Sequence, residues 1–154
     1  MVGFSFHEVM EGTVQRTGER FDRPFRFDFE VTMPDALGFL SSVVGECVGR
    51  VRIDGLAKDR PAKGTLELSP VRKRMMRYAF TFEGDDGNVY RFDGRKTIGG
   101  LTFSRGWTKL PGDVFGPDGD IWGEALLRFS MRRDLGDLVR SVRLATGTTA
   151  RQAV

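Results

Sequence analysis

A two-residue alternation of apolar and polar side chains is clearest in residues 21–33 and constrains the fold more than any other feature of the sequence. One face carries Phe25, Phe27, Phe29 and Val31, and the other carries Arg26, Asp28, Glu30 and Thr32. Successive side chains of a strand point to opposite sides of its sheet. The segment is therefore predicted to be an antiparallel strand with one buried face and one solvated face.

The same alternation predicts seven further strands along the chain. They cover residues 4–14, 48–54, 63–68, 75–83, 89–93, 101–108 and 123–131. Asp86-Gly87 lies between two of these runs and is typical of a hairpin, because glycine accepts the positive φ that such turns require. Residues 110–120 hold two Pro and three Gly, which predicts a mobile loop or flap.

Two helices are predicted beside these strands. A short early helix begins near Pro34 and would align Leu37, Leu40, Val43 and Val44. An amphipathic C-terminal helix would align Leu135, Leu138, Val139 and Val142. Residues 1–145 are predicted to form one domain, and residues 146–154 a flexible tail.

About eight sequential antiparallel strands predict a mostly-β fold, a single up-and-down β-barrel, since closure removes exposed strand edges. A half-open barrel or a two-sheet sandwich is the alternative. The interior of an eight-stranded barrel is either filled by side chains or able to hold one small ligand. The 13 phenylalanines fit both a Phe-rich core and an apolar pocket.

Composition indicates which partners and which cellular compartment are expected for the chain. The net charge of +3 is spread along the sequence, whereas nucleic-acid binders carry denser basic clusters, so no nucleic-acid partner is expected. Cys47 is the only cysteine, which favours a reducing compartment. No signal peptide or apolar stretch long enough for a transmembrane helix is visible. We expect a cytoplasmic protein.

Glu8 is the residue of greatest interest, because the alternation puts its carboxylate on the same face as Phe6 and Met10. A buried charge must find a partner or take up a proton. One interpretation is a polar anchor, or an acid/base group, at the end of an apolar pocket. The other is a structural role, either in a salt bridge to an inward arginine such as Arg50 or Arg105 or at a strand end on the barrel rim.

Arg105 and Trp107 would share a face of the strand predicted over residues 101–108. Such a pair can anchor a carboxylate head group or close one end of a barrel by cation–π stacking. The full set of candidate ligand-binding residues is Phe6, Glu8, Met10, Phe25, Phe27, Phe29, Tyr78, Phe80, Arg105 and Trp107.

No catalytic constellation, metal site or cofactor is predicted. His7 is the only histidine and is expected to be solvated, and the nucleophile-elbow motif G-x-S-x-G is missing. Cys47 has no second cysteine for metal or redox chemistry. A pair formed by Glu8 and Glu124 is a conceivable acid/base arrangement that the sequence alone cannot bring together.

Several short motifs resemble a known protein region in their order along the chain. They are Phe6-His7-Glu8-Val9-Met10-Glu11-Gly12, the segments 49–56 and 63–68, Arg74-Met75-Met76-Arg77-Tyr78-Ala79-Phe80, and Tyr90-Arg91-Phe92-Asp93-Gly94-Arg95-Lys96. This order resembles the small β-rich accessory region attached to some bacterial glucose–methanol–choline-type (cholesterol oxidase-like) oxidoreductases, and the resemblance extends over residues 4–144. No flavin-binding G-x-G-x-x-G turn is present. The resemblance therefore implies an accessory, lipocalin-like barrel in sterol or fatty-acid metabolism.

These observations lead to a non-enzymatic, lipocalin-like barrel as the expected function. It would bind a lipid or another apolar small molecule, or dock onto a lipid-metabolising oxidoreductase of the glucose–methanol–choline type. Two alternatives remain open at this point. One is a small enzyme that acts on an apolar substrate through Glu8, and the other is a protein-interaction module whose barrel is filled.

Overall fold

The computed structural model describes residues 4–34, 43–69, 75–97 and 109–129, and these residues form eight strands. The strands are β1 (Phe4–Arg16), β2 (Arg23–Met33), β3 (Val43–Ile53), β4 (Ala57–Ser69), β5 (Met75–Glu83), β6 (Val89–Thr97), β7 (Lys109–Phe115) and β8 (Ile121–Phe129). Each pairs antiparallel with the next, and β8 pairs with β1. The prediction of a closed up-and-down barrel of eight strands is confirmed.

The two predicted helices are not seen in the described residues. The described residues contain no helix. Residues 35–42 of the early helix, and the whole C-terminal helix and tail, lie outside the described part of the chain. The helix prediction is wrong at Val43 and Val44, which begin β3 and point to opposite sides of the barrel wall. Four apolar residues fitted the helical period there, but pairing of Val43 with Leu68 of β4 makes the segment a strand.

The prediction of a flap over residues 110–120 is also wrong. Residues up to Phe115 belong to β7, and only residues 116–120 form a turn. Leu110 and Val114 are fully buried on the inner face. Pro111 is tolerated because the ladder between β6 and β7 ends at Gly112, next to the residue that has no N–H to donate. The strand predicted over residues 101–108 lies outside the described residues.

Four short connections gather at one end of the barrel, which we call the turn end; the opposite end is the distal end. The connections are residues 17–22, 54–56, 84–88 and 116–120. In the third of them Gly87 has a φ of 81°, as the hairpin prediction required. The Asp86 carboxylate accepts hydrogen bonds from the Asn88 N–H at 3.0 Å and from the Tyr90 hydroxyl at 2.5 Å. These polar groups hold the turn end together.

A cluster of aromatic rings fills the barrel where the middle of β2 crosses it. Phe27 is fully buried, and its ring centroid lies 4.9–6.1 Å from those of five other rings. Those rings belong to Phe25, Phe29, Tyr78, Phe80 and Phe92. The distances are typical of edge-to-face and offset packing, which stabilises beyond simple burial. The inward face that the alternation predicted for β2 is therefore confirmed as the centre of the core.

Two glycines face each other in β6 and β7 and make room for one of these rings. Gly94 is the register partner of Gly112. A Cβ added at either position would lie 2.7 Å from ring carbons of Phe92, closer than packed carbon atoms approach. The absence of side chains at these two positions lets the Phe92 ring lie flat against the wall and complete the cluster.

Candidate functional site

The inner face of the barrel brings together eight of the ten candidate ligand-binding residues. Each of the eight is at most 7% exposed, and all except Glu8 belong to one continuous apolar core. They are Phe6, Glu8, Met10, Phe25, Phe27, Phe29, Tyr78 and Phe80. Arg105 and Trp107 lie outside the described residues. The distal half of this interior carries inward-pointing polar groups, and it is the candidate site.

Glu8 enters the interior from β1, opposite Phe29 of β2, and is 6% exposed. The negative charge of Glu8 acts on Cys47, which is buried on the inner face of β3. Burial, and to a lesser degree the negative charge of Glu8, raises the pKa of the Cys47 thiol to about 12. The thiol is therefore protonated at neutral pH and is a poor nucleophile.

Two partners suggested for Glu8 do not face it. Arg50 points outward from β3, because Val51 and Ile53 take the inward positions, and its guanidinium donates to the Asp59 carbonyl oxygen at 2.8 Å. Glu124 is exposed on the outer face of β8. The suggested salt bridge with Arg50 and the suggested acid/base pair with Glu124 are both wrong, since each partner lies on the opposite side of the barrel wall.

Tyr78 brings a phenol into the same interior from β5. The residue is fully buried, and its ring packs against Phe27 with centroids 5.3 Å apart. Its hydroxyl oxygen has no hydrogen-bond partner within the described part of the chain. A buried hydroxyl without a partner costs about 1–3 kcal/mol.

The second tyrosine provides the contrast. Tyr90 donates its hydroxyl hydrogen to Asp86 at the turn end. Burial, together with this hydrogen bond and the charge of Asp86, raises the pKa of Tyr90 to about 12. The two tyrosines of the chain therefore differ. The Tyr90 hydroxyl stabilises a turn, whereas the Tyr78 hydroxyl points into the apolar interior without a hydrogen-bond partner among the described residues.

Lys96 is a polar inward residue that the sequence interpretation missed. The strand was predicted to end at Asp93, whereas β6 continues to Thr97. Lys96 lies directly opposite the buried Met76 of β5, and register partners share a face, so its side chain starts on the inner side. Burial, and secondarily the positive charge of Lys109, lowers the pKa of Lys96. Continuing the alternation of Tyr90, Phe92 and Gly94 by two residues would have predicted that Lys96 lies on the inner face.

The outer wall holds several grooves that described residues line, and one of them lies over β1 to β4. Its volume is about 660 Å³. His7 lies there, 58% exposed as predicted, with its Nε2 2.6 Å from the Asp28 carboxylate and its Nδ1 3.6 Å from that of Glu30. These contacts are solvated, so they contribute little to stability. No cluster of potential metal ligands occurs among the described residues.

Three comparisons with known proteins were negative. No protein-family model matches the chain, and no curated protein or solved structure matches it either. The resemblance to the accessory region of glucose–methanol–choline oxidoreductases stays a prediction. The described residues include no helix that could span a membrane.

Proposed function

We propose that the protein is a non-enzymatic carrier that takes an amphipathic lipid, an apolar molecule with one polar group, into the distal half of its barrel. The observation that carries this proposal is the hydroxyl of Tyr78, which is fully buried and has no hydrogen-bond partner among the described residues. Buried polar groups in folded proteins are almost always satisfied, and an exception asks for a reason. A ligand with a polar group would supply the missing partner.

The aromatic cluster sets the depth to which such a ligand would reach. The rings around Phe27 fill the middle of the barrel and would form the floor of the site. The walls above that floor include Met33 and Met76. Methionine side chains are unbranched and repack easily, which suits an interior that has to admit a ligand.

The two tyrosines allow a test in which matched substitutions have opposite effects on stability. Tyr78→Phe removes a hydroxyl that has no partner in the described structure, so we expect the ligand-free protein to gain about 1–3 kcal/mol of stability. Tyr90→Phe removes the hydrogen bond to Asp86, so we expect a loss of about 1–2 kcal/mol. Urea unfolding monitored by tryptophan fluorescence measures both effects.

Lipid binding provides the second half of the test. Displacement of the neutral fluorophore N-phenyl-1-naphthylamine by long-chain alcohols and acids should be weakened by Tyr78→Phe and unaffected by Tyr90→Phe. A wild-type protein that binds neither the fluorophore nor any of these lipids would contradict the proposal. So would a Tyr78→Phe variant that is destabilised as much as Tyr90→Phe, because the hydroxyl would then have a structural role.

A second candidate, a filled barrel that acts as an interaction module, is favoured by one observation on the outer wall. Val44 and Val48 of β3 are 54% and 61% exposed and lie on the same outer face. Exposed apolar side chains on one outer face can contribute to a contact surface, and Glu46 lies between these two. Wild-type protein that binds no lipid but associates with itself through these valines would favour this candidate over the carrier.

A further inference from the structure

We propose that the polar group of the ligand is a carboxylate held jointly by Lys96 and Tyr78, so that the carrier selects long-chain carboxylic acids over neutral lipids. This inference rests on the proposed carrier function. It names the chemical class of the ligand and the wall of the barrel that recognises it.

The register of β5 and β6 brings the two side chains together. Tyr78 lies opposite Gly94, and Met76 lies opposite Lys96. Tyr78 and Lys96 are therefore diagonal neighbours on the inner face, a relation in which Cβ atoms are about 7 Å apart and long side chains can reach a common point. A carboxylate has two oxygens and can accept one hydrogen bond from the phenol and one from the ammonium group.

The charge of Lys96 lacks the compensation that comparable residues have. Four basic residues of the described chain are half-buried, namely Arg23, Arg60, Arg77 and Lys96. The three arginines bond to carboxylates, those of Glu19, Asp85 and Asp93, at distances of 2.6–3.0 Å.

Lys96 forms no ion pair within the described residues, and the charge that acts on it is the positive one of Lys109. A partly desolvated cation without a counter-ion is costly, so the site favours an anion.

The topology also keeps this anion away from Glu8. Three strands separate β5 from β1 in each direction around the barrel, so Tyr78 and Glu8 project from opposite walls. A carboxylate bound on the side of β5 and β6 therefore approaches the positive group rather than the negative one. The apolar chain of the ligand would extend toward the methionines of the distal half.

The test compares two ligands with the same chain length and different head groups. Palmitate and cetyl alcohol are titrated separately into the full-length protein, with displacement of N-phenyl-1-naphthylamine as the readout. We expect palmitate to bind at least about tenfold more tightly than the alcohol, as a charge-assisted hydrogen bond provides. Lys96→Met should abolish this preference by weakening palmitate alone. Lys109→Met, at an exposed outward position, should retain most of it.

The outcomes separate this inference from the carrier function on which it rests. If neither ligand binds the wild-type protein, the carrier function fails and the inference fails with it. If both bind and Lys96→Met leaves their affinity ratio unchanged, the carrier function stands and the carboxylate assignment is overturned. Lys96→Gln, which keeps a polar side chain without the charge, gives the same comparison if the methionine variant does not fold.

Discussion

Replacing Phe27 with alanine tests whether the centre of the barrel is packed solid. The ring is fully buried and contacts five other rings. A phenyl side chain buries on the order of 150 Å² or more, which at about 25 cal/mol per Å² corresponds to about 4 kcal/mol. A cavity left among rigid aromatic neighbours adds to this loss. We expect Phe27→Ala to lower the free energy of unfolding by about 4–5 kcal/mol.

Urea denaturation followed by tryptophan fluorescence measures this change, and differential scanning calorimetry should show a Tm lowered by about 8–20 °C. Phe21→Ala is the matched control. That ring is 56% exposed and has the Arg23 guanidinium above it at 5.1 Å, so its removal should cost no more than about 0.5 kcal/mol. A loss below about 2 kcal/mol for Phe27→Ala would refute the reasoning, because it would mean that the ring borders a water-filled space rather than close-packed neighbours.

Two further predictions follow from the pKa shifts. The single thiol of Cys47, whose pKa is raised to about 12, should not react with Ellman's reagent at about pH 8 in the folded protein and should react fully in concentrated guanidinium; rapid reaction without denaturant would contradict its burial. Hydrogen bonding to Arg77 lowers the pKa of Asp93, so this pair stabilises the fold above about pH 4, and the contribution is lost as the pH falls through the lower folded-state pKa. Urea midpoints measured from about pH 5 to pH 2 should therefore fall less steeply for Asp93→Asn than for wild type, with the exposed Asp22→Asn as control, and parallel curves would contradict the linkage.

The fold could be predicted from the sequence where side-chain periodicity alone decides it. The run from Phe25 to Val31 has one apolar and one polar face, and a strand that borders a core follows directly. Periodicity failed at β7, where Pro111 and Gly112 are typical of a loop. The glycine is required there because the Phe92 ring occupies the space that a side chain would fill. That requirement comes from β6 and cannot be detected within β7 itself.

The candidate site was predictable in part for the same reason. Glu8 and Tyr78 were correctly assigned to the inner face by counting residues along their strands. Lys96 was missed because the predicted strand stopped three residues before it. The charge balance around it depends on pairings between strands. A lysine with a carboxylate neighbour and one without such a neighbour have the same pattern in the sequence.

The buried and half-buried polar groups of the barrel differ in whether they have partners. At the turn end, Tyr90 is bonded to Asp86 and Arg23 is bonded to Glu19, so polar groups there add to stability. In the distal half, the Tyr78 hydroxyl and the Lys96 ammonium group lack such partners among the described residues. One such hydroxyl costs about 1–3 kcal/mol out of a total stability of about 5–15 kcal/mol. Phenylalanine and methionine would fit the same positions without this cost. Since local rules of this kind are most often broken where function requires it, the distal half is where a ligand of matching polarity is to be sought.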